Sequence, residues 1–251
     1  MPLLIKNIIH RFSTPKKILD NVSFELEKNR IYALMGANGS GKTTLFNIIT
    51  GFIKPQSGDV YFNSNKIGGL SPHKINRLGI GRTFQDLRLI SKLTVKENVL
   101  LAMDGNPTQA WYKAILPEFI YKSELSVLEA KAEEIITACF LRDVASAFAG
   151  EISYGQQKLL NMACCIANDA EILLLDEPIA GINPNYQEHI LDLLKRLRGQ
   201  GRTVLLIEHN TEFLQQVANS FFFLKSGKLN AYDTFAQLKN DREVLDAYLQ
   251  A

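Results

Sequence analysis

The chain has 251 residues, of which 46% are hydrophobic and 22% are charged, and its formal net charge is +2. This size allows one full-sized core, alone or with an attached subdomain, and the composition is typical of a globular protein. The small net charge gives no electrostatic case for nucleic acid as a partner, and no apolar run approaches the length of a membrane span.

The amino terminus and the cysteines both indicate a cytosolic protein. The first ten residues, MPLLIKNIIH, are too interrupted by polar side chains for a signal peptide. Cys139, Cys164 and Cys165 show no metal-site spacing, and we expect small buried thiols in a reducing compartment. A redox site at the adjacent pair is the alternative.

The first predicted elements are β-strands. Residues 3–27 alternate in character and contain the strand-like run Val22–Leu26, which follows a turn signal at Asp20–Asn21. Upstream of it, Phe12 lies where an aromatic ring could stack on a base. A single aromatic near a strand is more often part of a core, so Phe12 alone decides nothing.

The most informative stretch lies between a predicted buried strand, Ile31–Met35, and a predicted helix that begins near Lys42. It matches the pattern G-x-x-x-x-G-K-[ST], which indicates a phosphate-binding loop in that context. The residues of the loop are Gly36, Ala37, Asn38, Gly39, Ser40, Gly41, Lys42, Thr43 and Thr44. A glycine-rich turn with an incidental lysine is the alternative.

The chemistry of this loop predicts that the chain binds a nucleoside triphosphate. Glycines let consecutive backbone N–H groups converge on an anion, and the helix N-terminus adds unpaired N–H groups and the positive end of its dipole. Lys42 can then reach the β- and γ-phosphates, and Thr43 offers a hydroxyl to Mg²⁺.

Short elements follow the loop, and then a helical region. The short elements are a helix cap at Gly51, a turn over 54–59, a strand at Val60–Phe62, a helix start at Ser71–Pro72 and a strand over Leu78–Phe84 that ends at Gln85. From Thr94 to about Ala149 helical periodicity dominates, interrupted by a loop from Asp104 to Lys122 that contains Trp111. We predict a helical subdomain inserted into an α/β core.

The alternation of strands and helices returns at Glu171. The predicted elements are the strand Ile172–Leu175, the helix Asn185–Arg198, the strand Thr203–Ile207 and a tail of one or two short helices over 234–251. This alternation indicates a mostly parallel sheet, which places ligands at the carboxyl ends of its strands. The phosphate loop, Asp176 with Glu177, and His209 all follow such strand ends.

Asp176 and Glu177 supply the acidic groups that a phosphate loop needs. Asp176 would hold Mg²⁺ through water, since Mg²⁺ keeps much of its hydration shell. Glu177 points in a different direction and can orient or deprotonate the attacking water. Without the phosphate loop, an ordinary exposed turn would be a reasonable interpretation of this pair.

A second glycine-containing segment, Ser153–Gln157, precedes a predicted helix. Ser153 could cap that helix, or the helix end could form a second anion site. Physical arguments alone favour the cap.

Taken together, these motifs resemble those of the ATP-binding-cassette (ABC) ATPases. The matching features, in the order of the family, are the phosphate loop, Gln85 at the Q-loop position, the signature-like Ser153–Gln157, the acidic pair Asp176 and Glu177, the D-loop-like Ala180–Asn183 and the switch histidine His209. The resemblance spans nearly the whole chain.

The resemblance implies a role for each matching residue. Phe12 would stack on adenine, Gln85 would sense Mg²⁺ and the attacking water, and His209 would contact the γ-phosphate. In the signature segment, Ser153, Gly155 and Gln156 would contact ATP bound to another subunit, so that each ATP is shared across a head-to-tail dimer.

The resemblance also implies an architecture. We expect a single ABC ATPase domain with the α/β fold of a P-loop NTPase, an amino-terminal antiparallel β part and an inserted helical subdomain. The RecA-like and β core would comprise residues 1–93 and 168–251, with the helical tail over 234–251. The helical subdomain would run from about 94 to 167 and carry the signature motif.

Four segments are similar to the ATPase subunits of branched-chain (hydrophobic) amino-acid importers. They are Gly79–Gln85, Ser153–Gln157, Ala180–Pro184 and Val244–Leu249. Departures from the family pattern occur at Cys164–Ala167, at Asn210, where Asp is common, and at Leu229–Tyr232. These departures leave catalysis intact and bear on the transported substrate.

The resemblance therefore implies an ATPase that uses ATP and Mg²⁺ and works at the inner face of the cell membrane. Its partners would be transmembrane permease subunits, a second ATPase subunit, identical or paralogous, and indirectly a periplasmic binding protein. Alternatives are a cassette for another substrate, such as urea, or for lipid or polysaccharide export, and a non-transport ABC ATPase acting on ribosomes or as a regulator.

Overall fold

The computed structural model describes residues 2–13, 15, 17–85, 87–103, 122–242 and 244–245. The described helices are α1 Lys42–Ile49, α2 Pro72–Arg77, α3 Val95–Ala102, α4 Lys122–Ala138, α5 Tyr154–Ala167, α6 Pro184–Gly199, α7 Thr211–Val217 and α8 Phe235–Asn240. None of these helices is long and apolar enough to cross a bilayer. The described strands are β1 Leu3–His10, β2 Leu19–Leu26, β3 Ile31–Met35, β4 Ser57–Phe62, β5 Asn65–Lys66, β6 Ile80–Arg82, β7 Ile172–Asp176, β8 Thr203–Ile207, β9 Ser220–Lys225 and β10 Lys228–Tyr232.

The contacts divide the chain into two compact units. The first unit consists of Met1–Arg82, Glu171–Pro178 and Leu194–Ala251, and the second of Thr83–Ala170 and Ile179–Leu193. All ten of the described strands belong to the first unit, and α3, α4 and α5 belong to the second.

The first unit contains two sheets. A six-stranded sheet has the order β10-β9-β3-β8-β7-β6, in which every pairing is parallel except that of β10 with β9. Strands β3, β7 and β8 are buried along their whole length, as their continuous apolar runs require. The second sheet is antiparallel, with the order β2-β1-β4-β5. The predicted parallel sheet and amino-terminal antiparallel part are both confirmed.

A shared hydrophobic core connects these sheets with α1. It includes Leu3 and Ile8 of β1, Phe46 and Ile49 of α1, and Leu174 of β7, none of which is measurably exposed. Because α1 is anchored by these apolar side chains, the loop that precedes it is held against the end of β3.

Several sequence predictions were wrong in detail. Asp20–Asn21, predicted as a turn, lies within β2, where Asn21 has a φ of +59° and the register with β1 shifts. Asparagine tolerates this left-handed conformation, so a turn-like dipeptide serves as a β-bulge. β4 begins at Ser57 within the predicted turn, and β6 ends at Arg82, before the predicted Phe84. The hairpin of β9 and β10 was not foreseen.

Other details were confirmed. Gly51 follows the last residues of α1 with a φ of +76°, and Pro72 opens α2. The three cysteines are free; Cys139 and Cys165 are buried, as predicted, whereas Cys164 is half-buried. Burial raises the pKa of Cys139 and of Cys164 to about 12. The predicted loop 104–122 with Trp111 lies outside the described residues except where α4 begins, as do the last six residues of the tail.

Candidate active site

The phosphate loop joins β3 to α1 in a conformation that only glycine allows at two positions. Gly36 has a φ of +148°, and a Cβ built there would lie 2.3 Å from the carbonyl oxygen of Leu224. Gly41, immediately before α1, has a φ of +110°, and its Cβ would lie 3.1 Å from the carbonyl oxygen of Ile18. The loop therefore keeps its curled shape through close backbone packing within the first unit.

The N-terminus of α1 is open to a ligand. Gly41 is its N-cap and provides no side-chain hydrogen bond, and the first turn carries no acidic residue. The first N–H groups of a helix have no partner inside the helix, and together with the dipole they attract an anion. Thr43 is exposed and Thr44 half-buried in this first turn, which places two hydroxyls beside these N–H groups.

Lys42 brings a buried positive charge to the same loop. Its Nζ donates to the carbonyl oxygens of Gly36 at 2.7 Å and Ala37 at 3.0 Å, and the residue is only 7% exposed. Burial lowers the pKa of Lys42, whereas the nearby charges of Glu177 and Asp176 oppose that shift. The lysine is thus already folded over the loop that a polyphosphate would occupy.

Asp176 ends β7 and is paired with an arginine that the sequence analysis assigned no role. Arg82 Nη2 lies 3.7 Å from Asp176 Oδ2, and both side chains are 5% exposed. Arg82 also donates from Nη1 to Asn47 at 2.7 Å and to Thr50 at 3.2 Å, both on or just beyond α1. Burial raises the pKa of Asp176, and the charge of Arg82 opposes the shift.

Glu177 and His209 meet because the ends of β7 and β8 are adjacent. Asp176 is in register with Ile207, and the backbone N–H of Glu177 donates to the Ile207 carbonyl at 3.0 Å. Glu177 has a φ of +49°, and its Oε1 lies 3.7 Å from His209 Nε2. A carboxylate and an imidazole therefore lie together at the carboxyl edge of the sheet.

Glu208 was also missed in the sequence and fixes the backbone around His209. Its buried carboxylate accepts from the N–H groups of His209 at 2.9 Å and Asn210 at 3.4 Å. Asn210 in turn caps α7 by accepting from the N–H of Phe213 at 3.0 Å. An asparagine caps a helix as well as the aspartate common in the family, so this departure leaves the local structure intact.

Phe12 lies in the first unit and is 53% exposed, with its ring edge-to-face with that of His10 at 5.0 Å between centroids. Because about half of its side chain is exposed, Phe12 can also contact an aromatic ligand.

The second unit holds the other predicted site residues. Ser153 caps α5 with a complete capping box: its side chain accepts from the N–H of Gln156 at 3.4 Å, and Gln156 Oε1 accepts from the N–H of Ser153 at 2.9 Å. The predicted cap is confirmed. Gly155 lies under the ring of Tyr186, where an added Cβ would be 2.4 Å from a ring carbon. Gln85 lies in this unit and is exposed.

The groups present fit a magnesium–nucleotide complex. The loop is shaped around backbone donors, and the hydroxyl of Thr43 and the carboxylate of Asp176 are the oxygen ligands that Mg²⁺ prefers. Among the described residues, His, Cys, Asp and Glu form no cluster of three or more that could hold a metal by itself. Mg²⁺ in such sites is commonly shared between one or two carboxylates and the phosphates.

Comparison with known proteins connects these features. The family model described as "ABC transporter" matches residues 19–180, and a model of an AAA domain matches residues 146–215. The chain is 34% identical over 250 residues to the high-affinity branched-chain amino acid transport ATP-binding protein LivG of Salmonella typhimurium, covering 99% of this chain and 98% of LivG.

Solved structures agree. The ADP conformation of the ATP-binding cassette MJ1267, from an ABC transporter, superposes with a TM-score of 0.84 at 30% identity, covering 100% of this chain and 99% of that one. A dimeric post-hydrolysis state of the cassette MJ0796, bound to ADP and Pi, superposes with a TM-score of 0.74 at 26% identity, covering 92% and 98%.

Proposed function

The chain belongs to the ATP-binding subunits of ABC transporters, and from that premise we propose that it hydrolyses ATP to drive branched-chain amino-acid import through separate membrane subunits. The observation that carries the proposal is the gathering of Lys42, Asp176, Glu177 and His209 around the open N-terminus of α1. The similarity to LivG along nearly all of both chains supports the class of substrate.

In this proposal the first unit binds and positions ATP. The open N–H groups of α1 and the ammonium of Lys42 hold the phosphates, and the exposed ring of Phe12 stacks on the adenine. Thr43 and Asp176 would hold Mg²⁺, and Gln85 would sense the ion, as the family resemblance implies. When bound, Mg²⁺ neutralises the charge that accumulates on the phosphate oxygens.

Glu177 and His209 act on the attacking water and the γ-phosphate. The carboxylate of Glu177 orients the water and accepts its proton, which increases the nucleophilicity of the water oxygen. His209 lies 3.7 Å from that carboxylate and can donate to a γ-phosphate oxygen. Glu208 keeps His209 in place through the backbone. Arg82 holds Asp176 by its charge and ties it to α1.

The second unit serves a neighbouring subunit. We propose that Ser153, Gly155 and Gln156 contact ATP held by the phosphate loop of another ATPase subunit, as supported by the dimeric state of the similar cassette. The remaining partners would be permease subunits and, indirectly, a periplasmic binding protein, with the chain on the inner face of the membrane.

The test replaces Glu177 by glutamine, which is isosteric but cannot accept a proton. Glu177→Gln should bind ATP normally, lose nearly all turnover and accumulate ATP-bound dimers in size-exclusion chromatography. Glu171→Gln, an exposed carboxylate of the same unit, is the matched control and should retain turnover. Normal hydrolysis by Glu177→Gln would place the general base elsewhere.

The substrate class needs a separate measurement. The chain co-purified with its permease should show ATPase stimulation by a binding protein loaded with leucine, isoleucine or valine. Stimulation by urea alone, or none by any amino acid, would overturn the substrate assignment while leaving the ATPase assignment in place.

A further inference from the structure

Tyr186 is attached to the signature segment at two points within the second unit. Its Oη accepts a hydrogen bond from the hydroxyl of Ser153 at 3.2 Å. Its ring covers Gly155 so closely that an added Cβ would lie 2.4, 2.7 and 2.9 Å from three ring carbons. The Tyr186 side chain therefore contacts both the serine and the glycine of the signature segment.

The ring of Tyr186 is held in place from its other side. Its backbone N–H donates to the side chain of Asn183 at 3.2 Å, at the start of α6. Its ring lies edge-to-face with that of His189 at 5.9 Å, and His189 stacks on Phe140 at 4.2 Å with an interplanar angle of 7°. Tyr186 is thus fixed by a chain of contacts and is not a freely rotating surface side chain.

The hydroxyl of Ser153 has one proton, and the acceptor to which that proton is donated decides what else the hydroxyl can bind. In the arrangement in which Ser153 is the donor, that proton is directed to Tyr186 Oη, while the oxygen of Ser153 accepts from the N–H of Gln156. The oxygens of a γ-phosphate are acceptors only. Ser153 can therefore bind a γ-phosphate through its hydroxyl only after it has turned its proton away from Tyr186.

We infer that Tyr186 is a positioning residue that holds the Ser153 hydroxyl in a closed state and releases it when a γ-phosphate competes for its proton. This inference rests on the proposed function, in which Ser153 faces ATP of another subunit. Because Tyr186 Oη competes with the γ-phosphate for this proton, it favours the separated subunits over the ATP-bound dimer. Asn183, at the start of α6, connects the same device to the D-loop-like segment.

The test is a double-mutant cycle in the hydrolysis-deficient Glu177→Gln background. Tyr186→Phe keeps the ring over Gly155 and removes only the acceptor oxygen. It should make ATP-driven dimerisation about two- to fivefold tighter per site, the size expected for one net hydrogen bond. ATP affinity of the monomer should stay at the value of the parent, and the thermal midpoint of the monomer should fall only slightly, through loss of the same hydrogen bond. In a Ser153→Ala background the same change should have no effect on dimerisation.

The outcomes separate the inference from the function beneath it. Dimerisation that is unchanged by Tyr186→Phe, or an equal change with and without Ser153, overturns the inference alone. A weaker dimer in Tyr186→Phe also overturns it, because the tyrosine would then orient Ser153 toward the phosphate. Failure of Glu177→Gln to dimerise with ATP and Mg²⁺ at any protein concentration overturns the shared site and the inference together.

Discussion

Two helix N-termini carry the glycine motifs of this chain, and they are built in opposite ways. α1 begins after Gly41, which offers no side-chain bond, whereas α5 begins after Ser153, which forms a complete capping box with Gln156. The first end is open and has Lys42 folded across it. The second is closed by its own side chains and covered by Tyr186.

The difference shows what each end can do. An open end with an adjacent ammonium binds an anion at once, since its N–H groups have no other partner in the helix. A capped end has satisfied part of its donors, so a ligand must compete with the cap and gains less. We therefore expect α1 to fix nucleotide in a single chain and α5 to respond only to the extra phosphate of ATP.

The largest effect should follow from removing the charge at the open end. Lys42→Ala should weaken ATP binding by about 100-fold or more, because the phosphates lose charge-assisted hydrogen bonds in a buried site. Equilibrium binding of a fluorescent ATP analogue measures this loss. Lys54→Ala removes an exposed lysine of the same unit and should leave affinity unchanged. ATP affinity within a few-fold of the parent in Lys42→Ala would contradict the assignment of the loop.

The next effect separates capping from ligand binding at the closed end. Aspartate is as good an N-cap as serine, but its charge would face a phosphate. Ser153→Asp should therefore keep the thermal stability of the chain and lose ATP-driven dimerisation. Ser153→Ala should instead cost about 1 kcal/mol of stability through loss of the cap.

Mixing variants tests whether the two ends belong to different subunits. A mixture of the Lys42→Ala chain and the Ser153→Asp chain forms heterodimers that contain one complete composite site. Such a mixture should recover part of the ATPase rate. A Ser153→Asp monomer that has lost ATP affinity would instead show the signature segment acting within its own chain. If each variant behaves as predicted by itself but mixing restores no ATPase activity, the natural partner is a paralogous ATPase subunit.

The sequence predicted the open end better than the closed one, for a physical reason. The phosphate loop is local, because a strand, three glycines and a lysine follow each other within a dozen residues. Its acidic partners were also predictable, because adjacent parallel strands bring their carboxyl ends to one edge. Tyr186 lies 33 residues from Ser153, and no periodicity reveals that such a contact exists.

Arg82 and the late strands were missed for related reasons. The role of Arg82 depends on the pairing of β6 with β7, two strands that lie far apart in the sequence and whose adjacency only the folded structure reveals. The hairpin of β9 and β10 begins with an aromatic-rich apolar run that fits a buried strand, but β10 is largely exposed and lacks a clear alternation. Asn21 gave a wrong prediction, because this residue type is common in turns but here forms a bulge inside β2.

The last effect is a change in stability alone, caused by a single methyl group at the closed end. The φ of Gly155 is not in the left-handed region, so alanine fits its backbone, and within a helix alanine is intrinsically favoured over glycine. The added Cβ can destabilise only by displacing the ring of Tyr186. We expect Gly155→Ala to cost about 1–3 kcal/mol, the range for overpacking, as measured by thermal or urea unfolding.

Gly199→Ala, where no atom lies within 4 Å of the new Cβ, is the matched control and should be neutral or slightly stabilising. In a Tyr186→Ala background the penalty of Gly155→Ala should largely vanish, since residues in contact are not additive. Equal penalties in the two backgrounds would show that Tyr186 does not cover the closed end in solution, and the contrast between the two helix N-termini would then rest on the capping box alone.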